Sequence, residues 1–279
     1  VTGLTANTNY EVIVDVAVGG QTKTCSAIGF STSTATAPCT DGMDVAFLID
    51  YTGSMGGIID NIKTNVASVI NTIDTSSGSN NYRIGIVTID EMVGTNPPTY
   101  SACADYTGLP AAQKIANTGI GVTQYLTAWE MFQTNNGPTA TTQLQKLNGG
   151  VDGTCVNLGQ GNNAPEPTDM AIGQVLENNF LNAFRSNVAK YIVVITDASA
   201  SGDDDTFTSV DYARIGQLTT TANTQGVKVI VLGTGVNVQF NNGGTIVYPW
   251  REIATNTGGS YNASASAATI NSELVAGCS

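Results

Sequence analysis

Apolar positions change their rhythm along this chain, and the changes divide it. Over residues 1–35 apolar and polar side chains alternate on either side of Gly19-Gly20, as in Y-E-V-I-V-D-V-A-V. That alternation predicts two strands joined by a tight turn. Residues 36–42, which include Pro38 and Gly42, break the pattern and read as a linker. From Met43 onward, solid apolar runs alternate with stretches of helical period. D-V-A-F-L-I at 44–49 predicts a buried strand, whereas apolar residues at 58, 59, 62, 66, 69, 70 and 73 predict a helix. Strands follow at 83–89, 191–196 and 227–232, and helices at 168–184, 212–225, 250–256 and 267–275, with a short strand near 259–261. Such alternation predicts an α/β, doubly wound, mostly parallel sheet covered by helices on both faces.

Between about 92 and 165 the period weakens and Gly, Thr, Asn and Pro rise, so an elaborated insertion in a domain of residues 43–279 is expected. Short helices are expected within it at 109–117, 125–132 and 142–147.

Composition narrows the chemistry. The 279 residues carry 22 acidic against 10 basic side chains, a net charge of -12. Nucleic acid is therefore excluded as a partner, because phosphate binding needs a basic footprint. The chain has no histidine, which removes Ser-His and Cys-His catalysis. It has no P-loop and no G-x-S-x-G, and Gly-Thr-Gly at 233–235 is too short for a dinucleotide fingerprint, so no enzymatic activity is expected. The five cysteines, Cys25, Cys39, Cys103, Cys155 and Cys278, form no CxxC pair and suit structural disulfides in an extracellular, cell-surface or virion-surface setting. No apolar run reaches the ~18 to 20 residues of a membrane span, so no direct membrane insertion is expected. Val1 follows no signal peptide, which suggests a processed product or part of a longer chain with neighbouring modules.

One loop concentrates oxygen donors. D-Y-T-G-S-M at 50–55 places Asp50, Thr52 and Ser54 just past the first parallel strand, the end at which open α/β sheets bind ligands. Oxygen donors without nitrogen or sulfur suit a hard divalent cation, Mg, Ca or Mn. The bland alternative is that Asp50 and Ser54 merely cap the next helix.

This D-x-T-G-S-M string resembles the D-x-S-x-S metal-ion-dependent adhesion site of von Willebrand factor A-type and integrin inserted domains. Thr168, in A-P-E-P-T-D-M-A, resembles that family's distant metal-site threonine, although an N-cap role stays open. Asp197, ending V-V-I-T-D, resembles its strand-terminal aspartate. The resemblance implies a cation held by Asp50, Thr52, Ser54, Thr168 and Asp197 that engages an acidic group on a protein or glycan partner. Asp203, Asp204 and Asp205 read as a solvated loop or a second cation site, and Glu91 as rim. Gly3, Leu4 and Tyr10 resemble the closing strands of a fibronectin type III module, implying that residues 1–35 are part of one.

Cys39 precedes the first strand of the A-type domain and Cys278 follows its last helix, so a Cys39–Cys278 bridge is expected, with Cys103–Cys155 stapling the insertion. Cys25 is left over. Two functions compete: adhesion through the cation, or a structural module of a surface filament, pilus or viral fibre in which the metal only stabilises.

Overall fold

The computed structural model describes residues 9–12, 15–18, 21–24, 28–31, 39, 41–119, 121–147, 156, 158–159, 166–200, 206–233 and 239–276. The chain divides into two compact units, residues 1–37 with 279, and residues 38–278. In the first, β1 (Asn9–Val12) pairs antiparallel with β4 (Ile28–Ser31), and β2 (Asp15–Val18) with β3 (Gln21–Thr24). Where two strands are expected from the alternation, four short ones are found. The β1–β4 and β2–β3 registers are offset by one residue, Val12 facing Ile28 and Asp15 facing Thr24.

The second unit begins with β5 (Met43–Asp50), every residue of which is buried. A strand with both faces covered loses the polar alternation, as its D-V-A-F-L-I run announces. A short 3₁₀ turn (Gly53–Met55) leads into α1 (Gly56–Ser76), which buries Ile59, Ile62, Val66, Val69 and Ile73 along one stripe. The three- and four-residue spacing makes that stripe, and each such side chain contributes about 1.5–3 kcal/mol on burial. Then come β6 (Tyr82–Val93), α2 (Ala104–Thr107), β7 (Lys114–Thr118), β8 (Val122–Glu130), α3 (Gly137–Lys146) and α4 (Thr168–Glu177). The chain continues through β9 (Ala189–Thr196), α5 (Ser209–Gln225), β10 (Val227–Gly233) and a hairpin of β11 (Phe240–Asn242) and β12 (Thr245–Val247). It closes with α6 (Pro249–Asn256), β13 (Tyr261–Asn262) and α7 (Ala267–Ala276). Among the described residues no helix is long and apolar enough to cross a membrane.

Seven strands form one sheet in the order β13-β10-β9-β5-β6-β8-β7. Pairing is parallel from β13 to β6 and antiparallel on both sides of β8. On one face α1, α3 and α7 bury Ile59, Leu144, Ile270 and Leu274 against Val45, Phe47 and Ile49. On the other, α4, α5 and α6 bury Ile172, Ile215 and Trp250 against Ala46 and Leu48. This is the expected doubly wound α/β fold.

Three expectations need correcting. Residues 125–132 and 109–117 are not helices: they contribute to β8 and, after a 3₁₀ turn at Ala111–Gln113, to β7. Buried along its whole length, β8 shows no alternation to separate it from a buried helix. The region 92–165 therefore supplies two sheet strands, and of its expected helices only α3 forms, around 142–147. Finally, α4 stops at Glu177 instead of 184, because Asn179 and Asn182 adopt positive φ (53° and 72°). Phe180 and Leu181 stay buried after the helix ends, so they prolong the apolar period.

The lower end of β5 is fastened by charge. Asp44, fully buried, accepts from Arg83 Nε (3.0 Å) and Nη2 (2.5 Å) and from Arg185 N and Nε (both 2.8 Å).

Candidate functional site

β5 is where the sheet changes direction. The chain leaves β5 for α1 on one face and β6 on one side, while β9 lies on the other side and leads to α5 on the opposite face. Connections that part in this way leave a crevice at the carboxyl ends of β5 and β9. Asp50 ends β5, and Thr196 ends β9.

Two sets of hydrogen bonds, one on Asp50 and one on Asp197, meet in that crevice. Thr196 Oγ1 donates to Asp50 Oδ2 at 2.8 Å. Thr52 donates to Asp50 Oδ1 through its N–H (3.0 Å) and its hydroxyl (2.7 Å). Thr52 Oγ1 lies 3.5 Å from Ser54 Oγ, and Ser54 donates to Asp197 Oδ1 at 3.1 Å. Each of these hydroxyls hands its single hydrogen to a carboxylate and retains lone pairs. Asp50, Thr52, Ser54 and Asp197 are thus brought together. Asp50 and Thr52 are buried, Asp197 is half-buried and Ser54 is exposed.

Helix capping does not account for the loop. Neither the 3₁₀ turn nor α1 has a side-chain cap; their N-cap residues are Thr52 and Met55. Burial, aided by the nearby Asp197 and opposed by three hydrogen bonds, raises the Asp50 carboxyl to about 6.

Thr168 is the first residue of α4, whose N-cap is Pro167, so the N-cap alternative falls. It is fully buried, and its hydroxyl donates to Glu166 O at 3.3 Å. Among the described residues it makes no hydrogen bond to Asp50, Thr52, Ser54 or Asp197. Asp203, Asp204 and Asp205 lie outside the described residues. Glu91 is not rim: β6 carries both Asp90 and Glu91 fully buried, and Glu91 N donates to Asp90 Oδ1 at 2.9 Å.

Glu166, not among the residues expected from the sequence, also faces this region. Its N–H donates to Ser199 O at 2.8 Å and it bridges to Ala200, which draws it beside the segment after β9. It is 3% exposed, and Oε2 has no hydrogen-bond partner among the described residues. Burial, followed by the charges of Asp50, Glu91, Asp90 and Asp197, pushes its carboxyl up to about 10. The available signal was an acidic residue between two prolines, P-E-P, immediately before a helix. Among the described residues no three acidic or cysteine side chains alone enclose a metal-sized space. A cation here would therefore need hydroxyl oxygens as well as carboxylates.

Cys39 and Cys103 are disulfide-bonded. Cys25, Cys155 and Cys278 lie outside the described residues. No protein-family model matches the chain, and no curated protein does.

Proposed function

We propose that this chain is an extracellular or surface binding module of the von Willebrand factor A type, acting as a binder and not a catalyst. It would engage an acidic group on a protein or glycan partner through a divalent cation. The carrying observation is the gathering of oxygens in the crevice: Thr196 and Thr52 hydrogen-bonded to Asp50, Ser54 hydrogen-bonded to Asp197, and the Thr52 and Ser54 hydroxyls 3.5 Å apart. Asp50 and Asp197 would supply negative charge, with Thr52 and Ser54 as neutral oxygen donors. Thr168 stands as a further donor carried over from the resemblance, and Glu166 is added for its charge coupling to Asp50 and Asp197. Several carboxylates held close together, some of them buried, are costly without a counter-charge, and a divalent cation would offset that cost. The bound metal would supply a Lewis-acidic position for a partner carboxylate.

The burial of Asp50 and Thr52 favours one alternative, in which the cation only stabilises a structural module of a filament, pilus or fibre. Calorimetric titration of the EDTA-treated chain with Mg, Ca and Mn tests the cation. Melting curves together with capture of an acidic partner separate the two readings: stabilisation by metal without metal-dependent capture would favour the structural one.

A further inference from the structure

A second cleft lies between α4 and α5. Its volume is about 520 Å³, within the ~300–1,000 Å³ range of ligand sites. Asp169, Gly173, Val210, Asp211 and Arg214 line it, and among the described residues none of the proposed cation ligands does. Asp169, in the first turn of α4, is 2% exposed. Its carboxylate lies near the N–H groups of Asp169 and Met170 at the start of the helix, and Oδ1 has no hydrogen-bond partner among the described residues. A buried carboxylate oxygen left in that condition is costly, and an incoming donor would remove the cost.

The surroundings select a cation. Asp211 Oδ2 is occupied by Thr208 N (2.7 Å) and Oγ1 (2.9 Å), and its charge adds to that of Asp169. Arg214, the positive group on the wall, packs against Gly173 and gives both terminal nitrogens to Glu177, at 3.0 and 2.6 Å. Its charge is thus divided between Glu177, which it contacts directly, and Asp169, which it favours in the charged form. Oδ1 is fully recessed, and the compact ammonium of lysine on its slender stem reaches a recessed oxygen better than the planar guanidinium of arginine. Val210, 69% exposed, stands on the lining. A free alkylamine reaching Asp169 would leave Val210 bare, whereas a peptide backbone would cover it.

We propose that this cleft binds a lysine side chain of a partner protein, its apolar stem along α4 and α5 and its ammonium on Asp169 Oδ1. Among the described residues the cleft shares no lining residue with the proposed cation site. The test is an amide-shift titration of the full chain, in EDTA, with acetyl-Leu-Lys-Leu-amide, its norleucine counterpart and n-butylamine. Saturable shifts on α4 and α5 with the lysine peptide are expected, with affinity at least about tenfold weaker for the other two probes. Asp169→Asn should weaken the lysine peptide by at least about tenfold, and the exposed-site variant Val210→Ser by about threefold, with melting curves confirming that both fold. Equal binding of the norleucine peptide, butylamine matching the peptide, indifference to Asp169→Asn, or no saturable shift at about 10 mM peptide would each overturn the proposal.

Discussion

The hydroxyl of Ser54 donates to the carboxylate of Asp197 at 3.1 Å, joining the loop after β5 to the end of β9 across 143 positions of sequence. Because Ser54 is exposed, Ser54→Ala should change stability by no more than about 0.5 kcal/mol. Cation affinity should fall by about tenfold or more, since the loss removes both a donor oxygen and the tie that holds Asp197. Calorimetric titration alongside a melting curve checks both expectations.

The buried carboxyls set a pH dependence. Asp50, Asp169 and Glu166 stand at about 6, 7 and 10 in the folded chain, all above the ordinary carboxylate range. A folded state that holds these protons more tightly than the unfolded chain is favoured below about pH 4, and loses that advantage as pH rises through each folded value. In EDTA the melting temperature should therefore fall between pH 5 and pH 8. Glu166→Gln should flatten the fall and raise stability at pH 8. A melting temperature that rises over this interval in EDTA would contradict the assignment.

At the opposite end of β5, Asp44 serves architecture. It is fully buried and paired with both Arg83 and Arg185, so Asp44→Ala leaves two guanidinium groups without their shared partner. Such losses cost about 3–5 kcal/mol. Denaturant unfolding should register that loss, while cation affinity of the folded fraction should hold.

Cys39 and Cys103 are both oxidised, and we expect the pairs Cys39–Cys278 and Cys103–Cys155. The first would close a loop of more than two hundred residues and restrain the unfolded chain by about 4 to 5 kcal/mol. Non-reducing peptide mapping should recover these two linkages; a Cys39–Cys103 peptide would refute them.

Much of the fold was legible because its buried strands and amphipathic helices announce themselves. The cores of β5, β9 and β10 are unbroken apolar runs, and α1 repeats its apolar residues every three or four positions. β8 was not legible, because Val122–Glu130 is buried on both faces and Y-L-T-A-W-E-M-F fits a helix equally well. In the crevice, the close spacing of Asp50, Thr52 and Ser54 marks a site in sequence. The buried carboxylates of Asp90, Glu91 and Glu166 do not, since their placement depends on β6 lying next to β5 and on residue 166 joining the strand exit at Ser199. An acidic residue destined for the interior looks the same in sequence as one on the surface.

The proposed cation in the β5–β9 crevice depends above all on the carboxylate of Asp50. Titration of Mg into the EDTA-treated chain by calorimetry, with Asp50→Ala in parallel, tests it most directly. One saturable site in the native chain, absent in a folded Asp50→Ala, is the predicted result. Equal Mg binding by both, or none by the native chain, would exclude a cation site built on Asp50.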